Sequence, residues 1–249
     1  MFRHSGFYVR TDRGIEKPED LRGKLVGTPE YQMTAPVWMR GILDDQYGIK
    51  SNEIRWRSGG QEEAGRDERT PFEAPEGLDL EPIPEDRTLV EMFEAGELDA
   101  LTTAREPSSF TLRKPNIGRL FPDFRTAEKQ YYEETGIYPI MHLMGLRKDL
   151  AEKHPWLPGS LYKAFVEARD IAYQDIAKTA ALSVALPWVA AELQDTVDLM
   201  GPDYWKYGIE ECRHEIEALA RYSYNDGLSE RLLTPEDLFA ESTFDISRI

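Results

Sequence analysis

The chain of 249 residues has a single cysteine, Cys212, so it can form no internal disulfide, and a reducing compartment suits it. No apolar run approaches the roughly 20 residues of a membrane span, so membrane insertion is not expected. The opening stretch MFRHSGFYVRTDRG lacks the apolar core of a secretory signal, and the expectation is a cytoplasmic protein. Basic residues are few: 30 Lys and Arg stand against 46 Asp and Glu, a formal net charge of −16. Such a field repels nucleic acid and anionic membrane, which excludes both as expected partners. It does not exclude an acidic ligand, because a closed pocket can be locally basic. No CxxC, HExxH, P-loop, GxGxxG or GxSxG pattern occurs, so the usual metal, nucleotide and serine-hydrolase signals are missing. Internal repeats and coiled-coil heptads are absent as well.

What is present is an ordinary globular balance, with 41% hydrophobic and 31% charged residues. Phe7, Tyr8 and Val9 read as a strand. KPEDLRGK puts Pro18 at the start of a helical turn and Gly23 at its end. KLVGT is a short strand, with Gly27 expected to end it. An amphipathic helix from about Thr34 to Tyr47 follows, with Trp38, Ile42 and Leu43 on its inner face. Ile54 and Trp56 mark the next strand. A short helix from Leu89 to Glu94 and a strand from Leu98 to Thr102 complete the unit. Residues 61–86 interrupt it with ten Asp or Glu and four Pro, a composition that cannot build its own core. This excursion reads as a surface segment lying over the domain, or else as a lid or an oligomer arm. GIYPIMHLMGLRKDL reads as a strand running into a turn. The remainder is helical: residues 159–186, a helix from Pro187 to Gly201, one closed by Gly227, and a last turn with Thr234 as cap, Pro235 and Asp237. Strands alternating with helices indicate an α/β protein with mainly parallel strands.

In such sheets ligands sit beyond the carboxyl ends of strands, where loops meet helix N-termini. GTPEYQMTA falls there. Gln32, Met33, Thr34 and Ala35 would offer N–H donors to a carboxylate, with the Thr34 hydroxyl as one more; the alternative is an ordinary turn capped by Thr34. LTTAREPSSF ends a strand at Thr102 and Thr103 and continues to Arg105, a bidentate partner for a carboxylate or a surface partner of Glu106 or the acidic loop. Arg3, His4 and Ser5 stand beside a strand start, unless they fray with the terminus. His142 is an acid/base candidate if it faces a cleft, and a structural histidine if it does not. His214, between Glu210 and Glu217, reads as part of a solvated helix face, and His154 as a loop residue.

The stretches RHSGFYVRTDRGIEKPEDLRGKLVGTPEYQMTAPVWMRGILDDQYGI, LVEMFEAGELDALTTAREPSSF and LFPDFRTAEKQYYEETGIYPIMHLMGLRKDL resemble the 4,5-dihydroxyphthalate decarboxylase family. The likeness extends to YWKYGIEECRHEIEALARYSYNDGLSERLLTPEDLF; PEYQMTA and TGIYPIMH are its most specific parts. It implies an α/β fold of the type 2 periplasmic-binding-protein kind, with two lobes closing on a ligand. Residues 1–17 would be a hinge strand with part of lobe 1, residues 18–104 lobe 2 including the excursion at 61–86, and residues 105–249 the remainder of lobe 1. Family members usually carry on the order of 80 further residues before MFRHSG, within ordinary domain sizes. The implied activity is decarboxylation of a hydroxylated aromatic dicarboxylate such as 4,5-dihydroxyphthalate, giving protocatechuate; the alternative is a non-catalytic solute-binding protein for a small organic acid. His142 and His4 would move protons, and Arg3, Gln32, Met33, Thr34, Ala35, Thr103 and Arg105 would bind substrate. No organic cofactor is required and no metal ligands are assigned, while a divalent metal stays compatible with the chemistry. The expected partner is a small aromatic acid, with a homo-oligomer as a further expectation.

Overall fold

The computed structural model describes residues 1–244. They fall into two compact units: Met1–Met141 with Ala218–Leu233, and His142–Glu217 with the residues from Thr234 onward.

The first unit holds β1 (Phe7–Arg10), β2 (Leu25–Thr28), β3 (Arg55–Ser58), β4 (Leu80–Pro82), β5 (Ala100–Thr102) and β6 (Ile117–Arg119). They form one sheet in the order β4-β3-β2-β5-β1-β6. β2 pairs in parallel with β3 and β5, and β3 with β4, while β1 runs antiparallel to both β5 and β6. Its helices are α1 (Thr34–Tyr47), α2 (Leu89–Ala95), α3 (Ser108–Thr111) and α4 (Phe124–Thr135).

Alternation along the strands decides which helix covers which face. Phe7, Val9, Val26, Trp56 and Ala100 point to one side and pack with Met39 and Leu43 of α1. Tyr8 and Leu101 point to the other and pack with Leu89 and Phe93 of α2. The opposite flank of α1, through Val37, Trp38 and Ile42, meets Tyr131 of α4 and Tyr222. Covered on two sides, α1 buries every residue from Ala35 to Leu43. Gly41 permits this, since a Cβ there would lie 2.2 Å from the Tyr222 ring. Arg10 ends the buried β1; its Nη1 donates to the carbonyls of Phe93 and Glu94 at the close of α2, where a cation is favoured.

In the second unit lie α5 (Lys148–Lys153), α6 (Leu157–Ala177), α7 (Val189–Met200) and α9 (Pro235–Leu238); α8 (Ile209–Asn225) crosses the boundary between the units. The Thr234 and Asp237 capping box is formed as expected. Arg169 of α6 ties this unit internally, lying over the rings of Tyr173 and Tyr207 and bonding Asp170 and Asp203.

The α/β class is observed. The expected breaks at 17/18 and 104/105 both fall inside the first unit, because β1 and β6 hydrogen-bond into one sheet with the strands between them. Among the described residues there is one sheet. Residues 245–249 of the expected 105–249 segment lie outside the described residues. No strand forms over 137–147: Pro139 lacks an N–H, and no neighbouring strand pairs with this run. Gly27 lies within β2 instead of ending it; its need is close packing, since a Cβ would meet Leu101 at 2.5 Å. The helix expected over 159–186 stops at Ala177. Phe72, Leu78 and Leu80 of the excursion pack on the core of its own unit, and its end adds β4 at the edge of the sheet.

Candidate functional site

The register places four chain segments at one end of the sheet. β2, β3 and β5 are parallel, so their carboxyl ends Thr28, Ser58 and Thr102 lie side by side. β1 is antiparallel, so its beginning lies there too, with Phe7 opposite Thr102 and Tyr8 opposite Arg119. Arg3 and His4 before β1, the turn Gln32–Ala35 after β2, and Thr103 with Arg105 after β5 are therefore attached to the same end of the sheet, its rim. His142 belongs to the second unit, where it is exposed.

The turn after β2 is held from beneath. Arg40, 2% exposed, donates from Nη2 to the Tyr31 carbonyl at 2.9 Å and lies 3.6 Å over the Tyr31 ring. Its Nε donates to Asp226 at 2.7 Å, and Asp226 accepts from Ser51 as well. The backbone N–H groups of Tyr31 and Gln32 are thus fixed outward. Both meet a carboxylate, that of Glu68: Tyr31 N–H to Oε1 at 2.5 Å, Gln32 N–H to Oε2 at 3.4 Å. The Gln32 side-chain amide adds a bond to Oε2 at 3.3 Å and one to the Thr70 carbonyl at 2.7 Å. Met33, not Thr34, is the cap residue of α1, and no side chain caps it. Thr34 is the first helical residue, half-buried, and Ala35 is buried. Buried Glu30 receives Arg66 Nε at 2.8 Å and Arg69 Nε at 3.5 Å from the excursion.

At the second corner, buried Thr103 donates its hydroxyl to Gln61 Oε1 at 2.5 Å, and Gln61 Nε2 donates to the Arg105 carbonyl at 3.2 Å. Glu106 pairs with Arg119, which also bonds the Ser5 carbonyl. The expected alternative of an Arg105–Glu106 pair is therefore not formed. The exposed Arg105 guanidinium makes no ion pair among the described residues.

Arg3 is half-buried with Nε 3.0 Å from Met141 Sδ; burial lowers its pKa, opposed by the Glu128 carboxylate. Burial raises the pKa of Glu128 itself, which accepts from Ser5 N–H at 3.3 Å. His4 is fully buried against Phe121 and Tyr131, and only Nε2 has a partner, Gln46 Oε1 at 3.4 Å. Burial pushes its pKa down to about 4, so it is neutral at physiological pH. That position suits packing under the rim better than proton exchange with a ligand. His214 is exposed on α8 beside Arg213, which pairs with Glu210 and Glu217, as a solvated face requires. No group of three or more His, Cys, Asp or Glu converges as a metal site among the described residues, and no helix there is long and apolar enough to cross a membrane.

No family model matches the chain. It is 42% identical over 248 residues to a 4,5-dihydroxyphthalate decarboxylase of Comamonas testosteroni, covering 100% of this chain and 75% of that protein. The chain belongs to the 4,5-dihydroxyphthalate decarboxylase family. A second relative of that name, from Pseudomonas putida, is 44% identical over 131 residues, 53% of this chain and 51% of its own length. The periplasmic aliphatic sulphonate binding protein SsuA from Escherichia coli superposes with a TM-score of 0.42 at 17% identity, over 97% of this chain and 70% of that one, a likeness too slight to bear on fold or ligand.

Sequence reasoning missed Gln61, Arg40, Asp226 and Glu68 at this candidate site. The SGGQ run after β3 was the available signal for Gln61, because paired glycines after a strand mark a close backbone approach. Nothing local marks Arg40 and Asp226, which stand 186 positions apart.

Proposed function

We infer that the chain removes CO2 from 4,5-dihydroxyphthalate or a closely similar hydroxylated aromatic dicarboxylate. The observation that carries this reading is the 42% identity to a decarboxylase of that name across essentially the entire chain. The rim supports it chemically. Two outward N–H groups and an amide already hold a carboxylate there, and Arg105, which follows β5 at the same end of the sheet, has a guanidinium without an ion pair among the described residues. In this reading the turn at Gln32–Ala35 and Arg105 hold the carboxylate that stays. The carboxylate that leaves is para to a hydroxyl. Loss of that proton pushes electrons into the ring, a proton is added at the carboxyl-bearing carbon, the C–C bond breaks, and aromaticity returns with release of CO2. The proton step is assigned to His142, an exposed imidazole. His4 supports the rim by packing. The cytoplasm is the compartment this reading expects, and a homo-oligomer its expected state.

The test is incubation with 4,5-dihydroxyphthalate while CO2 and protocatechuate are measured. One equivalent of each should appear per acid consumed. His142→Ala should slow turnover about 10²–10⁴-fold with unchanged affinity for phthalate, which has no hydroxyl to drive the reaction. Equal loss of binding and turnover would remove His142 from the proton step.

A further inference from the structure

Of the donors assigned to a substrate carboxylate, those of Gln32 are occupied by the chain's own Glu68, together with the adjoining Tyr31 N–H. Between residues 62 and 77 every residue is exposed except Glu68 and Phe72. Both touch the turn after β2. Phe72 stacks on the Tyr31 ring at 5.6 Å between centroids, and Glu68 accepts from Tyr31 and Gln32 of the same turn. Most of the remaining fastening is polar. Arg66 and Arg69 reach Glu30, and Glu62 accepts from the Ser108 N–H at 2.8 Å and hydroxyl at 2.7 Å. Gly227 packs against Pro75. A segment held by a few charged contacts and one ring, with little buried apolar surface, opens at low cost. Its base is firm: the Gly60 and Gln61 carbonyls accept from the first N–H groups of α2, and β4 closes the far end.

The geometry points to an autoinhibitory strap: Glu68 stands in for a ligand carboxylate on Tyr31 and Gln32, and an incoming aromatic dicarboxylate must displace it. Glu68 presents both of its oxygens to donors of the turn, as a benzoate-type carboxylate would. The proposal rests on the reading of this turn as the substrate grip. Occupancy by Glu68 lowers apparent affinity in proportion to the fraction of chains with the strap closed. It also excludes weakly bound monocarboxylates, which recover too little to open it.

The test is calorimetric titration of phthalate into the wild-type chain, Glu68→Gln and Glu68→Ala, with hydrogen exchange of residues 62–77 followed before and after phthalate is added to the wild type. Both variants should bind phthalate about tenfold more tightly than wild type. Exchange across 62–77 in the wild type should speed up on binding. If wild type binds phthalate but neither variant binds more tightly, the strap is refuted while the grip survives. If no form binds phthalate, the reading of the grip fails and the strap falls with it. If the variants do not fold, the wild-type exchange decides: slower or unchanged exchange on binding overturns the proposal.

Discussion

The first unit wraps a sheet between helices and buries Trp38 and Trp56 completely, whereas α6 and α7 of the second bury no residue and Trp156 and Trp188 are 64% and 73% exposed. Both regions are rich in apolar residues at regular spacing. The difference is what lies opposite. In the first, strand alternation supplies two apolar faces and a helix answers each. In the second, helical spacing makes apolar stripes that nothing among the described residues covers fully. Periodicity therefore specifies a helix, but not the surface that buries it.

The contrast sets the order of effects to expect. Trp38→Ala should cost about 3–5 kcal/mol in urea unfolding, by loss of a wholly buried ring. Trp188→Ala should change stability by less than about 0.5 kcal/mol. Comparable losses in both would break the comparison. Asp226→Ala leaves Arg40 buried without its ion-pair partner and should cost about 3 kcal/mol, and the double change Arg40→Met, Asp226→Leu should cost less than the sum of the two single changes.

His4 gives the first unit a pH dependence. Its folded pKa of about 4 lies below the ordinary value of 6.5, so between those limits the unfolded chain binds more protons than the native one. Stability is unaffected by His4 above pH 6.5, falls as pH drops towards 4, and levels off below that. The loss amounts to roughly 3 kcal/mol, from 1.36 kcal/mol per pKa unit. His4→Phe should flatten this window of the urea midpoint against pH, and an unchanged profile would show that His4 takes up its proton without penalty.

Smaller effects separate the two corners of the rim. Arg105→Ala should weaken phthalate binding by about 2 kcal/mol, as loss of a charged partner does, and Thr34→Ala by about 1 kcal/mol, both read by calorimetry. A reversed order would make the turn before α1, and not Arg105, the stronger of the two holds.

Much of this was legible locally. Pro36 within the first turn and Gly48 at the end punctuate α1, whose observed span Thr34–Tyr47 is the expected one. The Thr234–Asp237 cap reads directly from its spacing. The rest depends on partners distant in sequence. β4 and β6 span three residues each and exist because a neighbouring strand pairs with them. The apolar run around His142 looks like a strand but has no such neighbour. Gln32–Ala35 was marked as an anion grip, yet its occupant, Glu68, sat in a stretch read only for its composition. An acidic segment with prolines shows that it will not form a core; it does not show which carboxylate will find the free N–H groups.

The central claim is that this chain breaks a carbon–carbon bond by protonating a ring carbon, and does not merely hold an acid. Reaction with 4,5-dihydroxyphthalate in deuterium oxide, with the product examined by mass spectrometry and proton NMR, tests it most directly. The account predicts protocatechuate carrying one deuterium at the carbon that lost the carboxyl group, with one CO2 released. Recovery of unchanged 4,5-dihydroxyphthalate from a chain shown to have bound it would contradict the account.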